Sequence, residues 1–218
     1  MLFKDKKYIL FDMDGTLINN KEGIIKCIYY ALDSLGIYNG EADDLEKFIG
    51  PPLHHSFKTY YDLSDTGADR AVEKYRERYS KKGMYECCLY DGIEDLLKEL
   101  KDGGRVLCVA SSKAEIFVRQ ILENLNIDKY FDVVVAASLD GRFVQKDEII
   151  AKAIASIDGA KISDAIMIGD RIYDIEGAKT NNMACIGVSY GFAPDGELEN
   201  SGADAIASDV RELKEMLI

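Results

Sequence analysis

Phe11-Asp12-Met13-Asp14-Gly15-Thr16-Leu17 is the stretch on which the reading of this chain turns. Ahead of it runs Tyr8-Ile9-Leu10-Phe11, apolar, bulky and free of Gly and Pro. So short an apolar run reads as a strand buried on both faces, as in a parallel sheet. Asp12 and Asp14 arrive where that strand ends, and Gly15 lets the chain turn. In open α/β sheets ligands bind at the carboxyl edge of a strand. Burying two neighbouring carboxylates is costly unless a cation or a strong donor set neutralises them. A divalent metal answers that need, and all-oxygen ligation suits Mg2+. One carboxylate can then act as a nucleophile and the other as a proton shuttle. A plain turn at Asp14-Gly15, with Asp12 as a solvated strand end, accounts for the same residues, and both readings stand at this point. An EF-hand loop does not, because its sixth position needs Gly and here holds Leu17.

Working outward, the pattern predicts helices over 21–35, 43–49, 53–63 and 68–82. Gly36, the run Gly50-Pro51-Pro52 and Gly83 act as stops, and Ser64 or Asp65 as a cap. Nothing between Asn19 and Lys82 has strand character, so 19–82 reads as an inserted helical cap domain. From Met84 onward helices alternate with apolar strands. Strands are predicted over 105–110, 131–136, 165–168, 184–188 and 204–207. Helices are predicted over 92–101, 114–125, 147–157, 173–180 and 210–217, with a turn at Asp140-Gly141. That alternation predicts an α/β domain over 1–18 and 83–218, built on a parallel sheet covered on both faces.

A chain of 218 residues holds one such domain plus a modest insertion. Its hydrophobic content of 47% and charged content of 30% are those of a globular protein. A net charge of -12 argues against nucleic acid polymers or anionic membranes as partners. An anionic substrate must therefore be drawn in by a local positive site or a metal. The five cysteines are scattered without zinc spacing, and Cys87-Cys88 suits neither a redox pair nor an ordinary disulfide. Reduced thiols and a cytoplasmic location are expected. The lysines near the N-terminus precede a short apolar run broken by Asp12, which is neither a signal peptide nor a membrane span.

Polar groups recur at the predicted strand ends. Ser111-Ser112-Lys113 offers a hydroxyl and free amides of the kind that bind an anion, or a simple helix cap. Lys146 stands just before a predicted helix that Asp147 could cap; on its own it reads as solvated. In Gly169-Asp170-Arg171-Ile172-Tyr173-Asp174 the two Asp stand one helical turn apart, so their carboxylates face the same way. They read as metal ligands, or as an N-cap with a first-turn dipole partner. Carboxylates, a small hydroxyl and a lysine at one sheet edge are what phosphoryl transfer with Mg2+ requires.

Asp12-Met13-Asp14-Gly15-Thr16-Leu17, Ser111, Lys146 and the Gly169-to-Asp174 segment resemble, in order, the four motifs of the haloacid-dehalogenase superfamily. Its phosphatases carry DxDGT at the end of their first strand. The resemblance implies a Rossmann-like core with an inserted helical cap that opens for substrate and selects it. It implies Mg2+ held by Asp12, the Asp14 backbone carbonyl and Asp170, with Asp174 supporting through water. By it Asp12 is the nucleophile, Asp14 the general acid and base, and Ser111 and Lys146 the holders of the phosphoryl oxygens. Gly15, Thr16, Ser112 and Lys113 would line the phosphate. Arg171 beside Asp170 is similar to the phosphoglycolate phosphatases and bacterial 5′-nucleotidases, so the implied substrate is a small phosphorylated metabolite.

One departure is Lys146-Asp147-Glu148-Ile149, where many relatives carry Lys-Pro-x-Pro; it loosens the alignment and leaves Lys113 as the alternative lysine. The superfamily also contains phosphosugar mutases, which would need a second anion site in the cap, where no Arg cluster stands out. Its dehalogenases do not use the second Asp. Phosphonate hydrolysis would need a cap lysine, for which Lys47 and Lys58 are candidates. A non-catalytic metal or phosphate-binding module is the alternative from another class. In the cap, His54 and His55 read as surface residues. Tyr29, Tyr30, Phe57, Tyr60 and Tyr61 read as packing, with a nucleobase stack as the sharper alternative.

Overall fold

The computed structural model describes residues 3–37, 45–49, 51–138 and 145–218. The run Tyr8-Ile9-Leu10-Phe11 is strand β1 (Tyr8–Phe11), buried at every position. It has a parallel neighbour on each side, β4 (Val106–Ala114) and β6 (Ala165–Gly169). With β5 (Val133–Ala137), β7 (Ala184–Val188) and β8 (Ala205–Ala207) these form one sheet in the order β5-β4-β1-β6-β7-β8. The chain builds outward from β1 on one side, then crosses over and builds outward on the other. Strand order therefore reverses beside β1, the place where such sheets open a crevice at their carboxyl edge.

The burial shows why this run had to be central. Tyr8, Leu10, Cys108, Ala110, Met167 and Cys185 share one apolar cluster with Ile149, Ile150, Ala153, Ile175 and Ala178. Those last five come from helices α6 (Lys146–Ala155) and α7 (Ile172–Thr180). The alternate strand residues Ile9, Phe11, Leu107, Val109, Ile166 and Ile168 are equally buried, so the sheet is covered on both faces. The remaining helices of this part are α4 (Ile93–Asp102), α5 (Glu115–Asn124), α8 (Glu197–Asn200) and α9 (Val210–Leu217).

The chain divides into two compact units, Met1–Asn19 with Cys88–Ile218, and Asn20–Cys87. The second carries α1 (Lys21–Ser34), α2 (Leu53–Tyr61) and α3 (Asp65–Tyr79). α1 buries Ile24, Cys27, Ile28, Ala31 and Leu32 at helical spacing, and α3 buries Ala68, Ala71, Tyr75 and Tyr79. Ser64 caps α3, accepting a hydrogen bond from the Gly67 amide at 3.2 Å. The Phe48 ring contacts Phe57, Tyr60 and Tyr61, so the aromatic bias of this stretch goes largely into packing. Lys47 lies over the Tyr60 ring, Lys58 pairs with Asp65, and His54 lies 3.3 Å from Asp69. Among the described residues no helix is long and apolar enough to cross a membrane.

Several boundaries differ from expectation. Of the helix predicted over 43–49, the described part is a 3-10 turn at Glu46–Phe48; Asp43, Gly50 and the Asp140-Gly141 turn lie outside the described residues. A two-stranded ribbon, β2 (Ile18–Asn19) with β3 (Cys88–Leu89), was not predicted; two residues carry no period. β4 continues through Ser111-Ser112-Lys113 with a register irregularity, where a helix start was expected. α6 begins at Lys146 itself, after Gln145, so Asp147 lies inside the helix and does not cap it.

Leu10 lies wholly within the core cluster. Leu10→Ala is expected to cost about 2–5 kcal/mol, read as a lowered urea midpoint of the α/β unit. A change within about 0.5 kcal/mol would mean that β1 is not the centre of this packing.

Candidate active site

The end of β1 is held by its neighbours. The Asp12 amide donates to the Ile168 carbonyl, and the next residues close a tight turn in which the Leu17 and Ile18 amides both donate to Met13. Gly15 is needed there twice over: its φ is +80°, and a Cβ would lie 2.0 Å from Asp170 Oδ2. Thr16 is buried beneath, its hydroxyl 3.5 Å from Asp170 Oδ1. The loop after β1 and the loop after β6 are thus pressed together.

Lys146 joins the other parts. From the first residue of α6 its Nζ reaches Asp12 Oδ1 at 2.6 Å, Asp174 Oδ1 at 2.8 Å and the Ala110 carbonyl at 3.0 Å. Lys113 has a different partner, Asp14 Oδ2 at 2.5 Å. β4 thus brings Lys113 and α6 brings Lys146 to the site, on different carboxylates. Ser111 is buried on the same strand and accepts a hydrogen bond from the Lys113 amide at 3.3 Å, whereas Ser112 is exposed.

Asp170 lies just outside α7, between the end of β6 and the helix, and is fully buried. Its Oδ2 accepts from the Phe192 amide at 2.7 Å. Asp174, in the first turn, accepts from the Arg171 amide at 3.1 Å, so it serves as a capping partner and faces Lys146 at once. Asp12, Asp170 and Asp174 each offer an oxygen, all within 4.8 Å of one another, and among the described residues they form a group able to hold a metal ion.

The charges do not balance. Burial raises the Asp170 pKa well above the ordinary carboxylate value, and the charges of Asp174 and Asp12 raise it further. Burial also raises Asp174, with Lys146 opposing. Burial would lower Lys146, but Asp12 and Asp174 outweigh it and hold the ammonium charged. Three buried carboxylates against one ammonium leave two negative charges uncompensated, and Asp170 has no ion-pair partner among the described residues. Asp14 Oδ1 is buried without a hydrogen-bond partner among them. A divalent cation fits this donor set in charge and in ligand type.

Four contributors escaped the sequence reading. Tyr190, Gly191 and Phe192 follow β7, and Glu197 opens α8. The Tyr190 hydroxyl donates to the Thr16 carbonyl at 3.0 Å, and its ring meets that of Tyr90 at 4.8 Å, edge to face. Burial keeps both phenols neutral, and the nearby Asp170 charge reinforces it. A signal existed: Tyr190-Gly191 follows an apolar strand, the same position that singled out Asp12 and Asp170.

The match to known proteins agrees with this geometry. The family model of the haloacid dehalogenase-like hydrolases matches residues 9–188, and the chain belongs to that family. A 5′-nucleotidase from Pseudomonas aeruginosa is 40% identical over 209 residues, covering 96% of this chain and 94% of that one. The crystal structure of a putative phosphatase from Clostridium difficile superposes with a TM-score of 0.91 at 41% identity, over 99% of this chain and 100% of that one. The tyrosine-protein kinase PtkA of Mycobacterium tuberculosis is 37% identical over 147 residues, 67% of this chain and 50% of that one. The protein is an enzyme of the phosphatase type within this family.

Because the fold raises the Asp170 pKa above the ordinary 3.8, the fold is favoured below that value and weakened as pH rises through the raised pKa. Asp170→Asn should therefore stabilise the cation-free protein at pH 7 by about 1 kcal/mol or more. It should also remove any rise in melting temperature on adding Mg2+. Urea unfolding and thermal melts with and without Mg2+ measure both, and a cation-free variant no more stable than wild type refutes the charge imbalance.

Proposed function

We propose that this chain is a Mg2+-dependent phosphomonoester hydrolase working through an aspartyl-phosphate on Asp12. The observation that carries the reading is Lys146 Nζ shared between Asp12 and Asp174, next to a buried Asp170 with no ion-pair partner among the described residues. A carboxylate held by a lysine in this way is placed to act as a nucleophile, and the lysine stands ready to offset charge on the transferring group.

Asp12, the Asp14 backbone carbonyl and Asp170 would hold the cation, with Asp174 in support. When bound, Mg2+ would neutralise the carboxylates and the phosphoryl oxygens. Asp12 attacks phosphorus in line, forming the Asp12–phosphorus bond as the ester P–O bond breaks. Asp14 gives its proton to the departing alkoxide oxygen. A water then attacks the acyl phosphate, Asp14 takes its proton, and inorganic phosphate leaves with Asp12 regenerated. Lys113 holds Asp14 Oδ2, which fixes the direction of that side chain. Ser111, Ser112, Gly15 and Thr16 are proposed to surround the phosphoryl group.

The helical unit Asn20–Cys87 is proposed as the cap that selects the substrate, since it is inserted directly after the nucleophile loop. A nucleoside 5′-monophosphate is the proposed substrate class, supported by the 5′-nucleotidase relative; a phosphoglycolate-like acid is the alternative.

The decisive experiment is phosphate release from a panel of phosphomonoesters, with and without Mg2+, for wild type and Asp12→Asn. Release that needs Mg2+ and falls to background in a folded Asp12→Asn variant is expected; wild-type rates in that variant sink the mechanism. Release from no compound by a folded wild type would favour a mutase or a binding module. Asp14→Asn should slow alkyl phosphates by about 10²–10⁴-fold and p-nitrophenyl phosphate far less, because that leaving group needs little protonation. Equal losses on both would remove Asp14 from the acid role.

A further inference from the structure

We propose that the segment 190–197, the turn after β7 and the start of α8, is a positioning element that sets Asp170 for cation binding, with Glu197 as its anchor. The inference rests on the reading of Asp170 as a cation ligand.

Three contacts carry it. The Phe192 amide donates to Asp170 Oδ2 at 2.7 Å, which orients the carboxylate and leaves Oδ1 beside Thr16. The Gly191 backbone is wedged between the two loops: a Cβ there would lie 2.3 Å from the Gly15 carbonyl oxygen and 2.4 Å from Asp170 Cβ. Glu197 Oε1 accepts from Arg171 Nε at 2.8 Å and from the Ile172 amide at 2.9 Å, and its Oε2 from Arg171 Nη2 at 3.3 Å. The Arg171 and Glu197 side chains are only 15% and 16% exposed.

Glu197 thereby takes a donor that α7 leaves unpaired at its N-terminus, and grips the residue next to Asp170 with a forked ion pair. Asp170 is thus pinned from its chain neighbour and from its own carboxylate, both times by the same segment. Groups that orient a ligand in this way are worth about tenfold to a hundredfold in metal affinity when removed. The competing account is that the pair merely joins α7 to α8. It predicts a loss of stability with metal affinity unchanged.

Mn2+ binding to the full chain, followed by the loss of the free-ion EPR signal, separates the two. Wild type is compared with Glu197→Gln and with the double variant Arg171→Gln/Glu197→Gln, which removes both partners of the pair. Asp204→Asn is the control: it breaks another ion pair on α7, Lys179 to Asp204 at 2.6 Å, away from the carboxylates. The expected result is a Kd for Mn2+ raised about tenfold or more in both Glu197 variants and unmoved in Asp204→Asn, with all melts cooperative. Wild-type binding with the same Kd in the Glu197 variants overturns the inference and leaves the ligand reading intact. No Mn2+ binding by wild type overturns both.

Discussion

Everything at this sheet edge depends on one ammonium group shared by two buried carboxylates. Lys146 bridges Asp12 and Asp174, and so ties the first strand to the helix that follows β6. Removing one partner of such a buried arrangement leaves a charge with no compensation, which costs several kcal/mol. The lysine is therefore a structural link between the two elements. It does not finish the neutralisation, since Asp170 remains, and that deficit leaves the edge able to hold a cation rather than closed as an ion-pair network. The neighbouring glycines fit the same constraint: Gly15 and Gly191 let two loops approach until backbone, not side chain, meets the carboxylates.

Much of this was legible in the sequence. The central strand, the alternation after residue 84 and the last helix follow from apolar runs and their periods, and the strand ends drew attention to Asp12, Asp14, Ser111, Asp170 and Asp174. Lys146 could not be placed by pattern, because the helix start gives no hint that a side chain is turned inward beneath two carboxylates. Lys113 was readable as a cation but not as Asp14's partner, since that depends on an irregularity in β4 which a short polar run does not announce. The alternative reading of Ser111 as a helix cap does not hold, because β4 continues past it. Phe192 contributes a backbone amide, and backbone donors leave no trace in residue type.

The helical unit behaves differently. Its chemistry-bearing residues are spent on one another: Arg78 on Glu86, Lys58 on Asp65, Tyr30 on Glu77. Its rings pack on one another too, Phe57, Tyr60 and Tyr61 around Phe48 and Tyr75 on Tyr79. Periodicity reads such a unit well as a packed body and says little about what it selects, because selectivity would lie in shape rather than in a motif. The α/β unit, by contrast, gathers charged residues where β1, β4 and β6 end, and so marks a candidate site.

The separation between partners along the chain has a consequence for biosynthesis. Asp12 meets Lys146 across 134 positions, and Thr16 meets Asp170 across 154. During translation Asp12 leaves the ribosome long before Lys146 does. Until α6 and the β6 turn have emerged, Asp12 must stay solvated, and β1 lacks β6, its neighbour on one side. Contacts this distant in sequence close late and slow the search for the native state. The nascent polypeptide thereby cannot bring Asp12, Lys146 and Asp174 together before the helix after β6 has emerged.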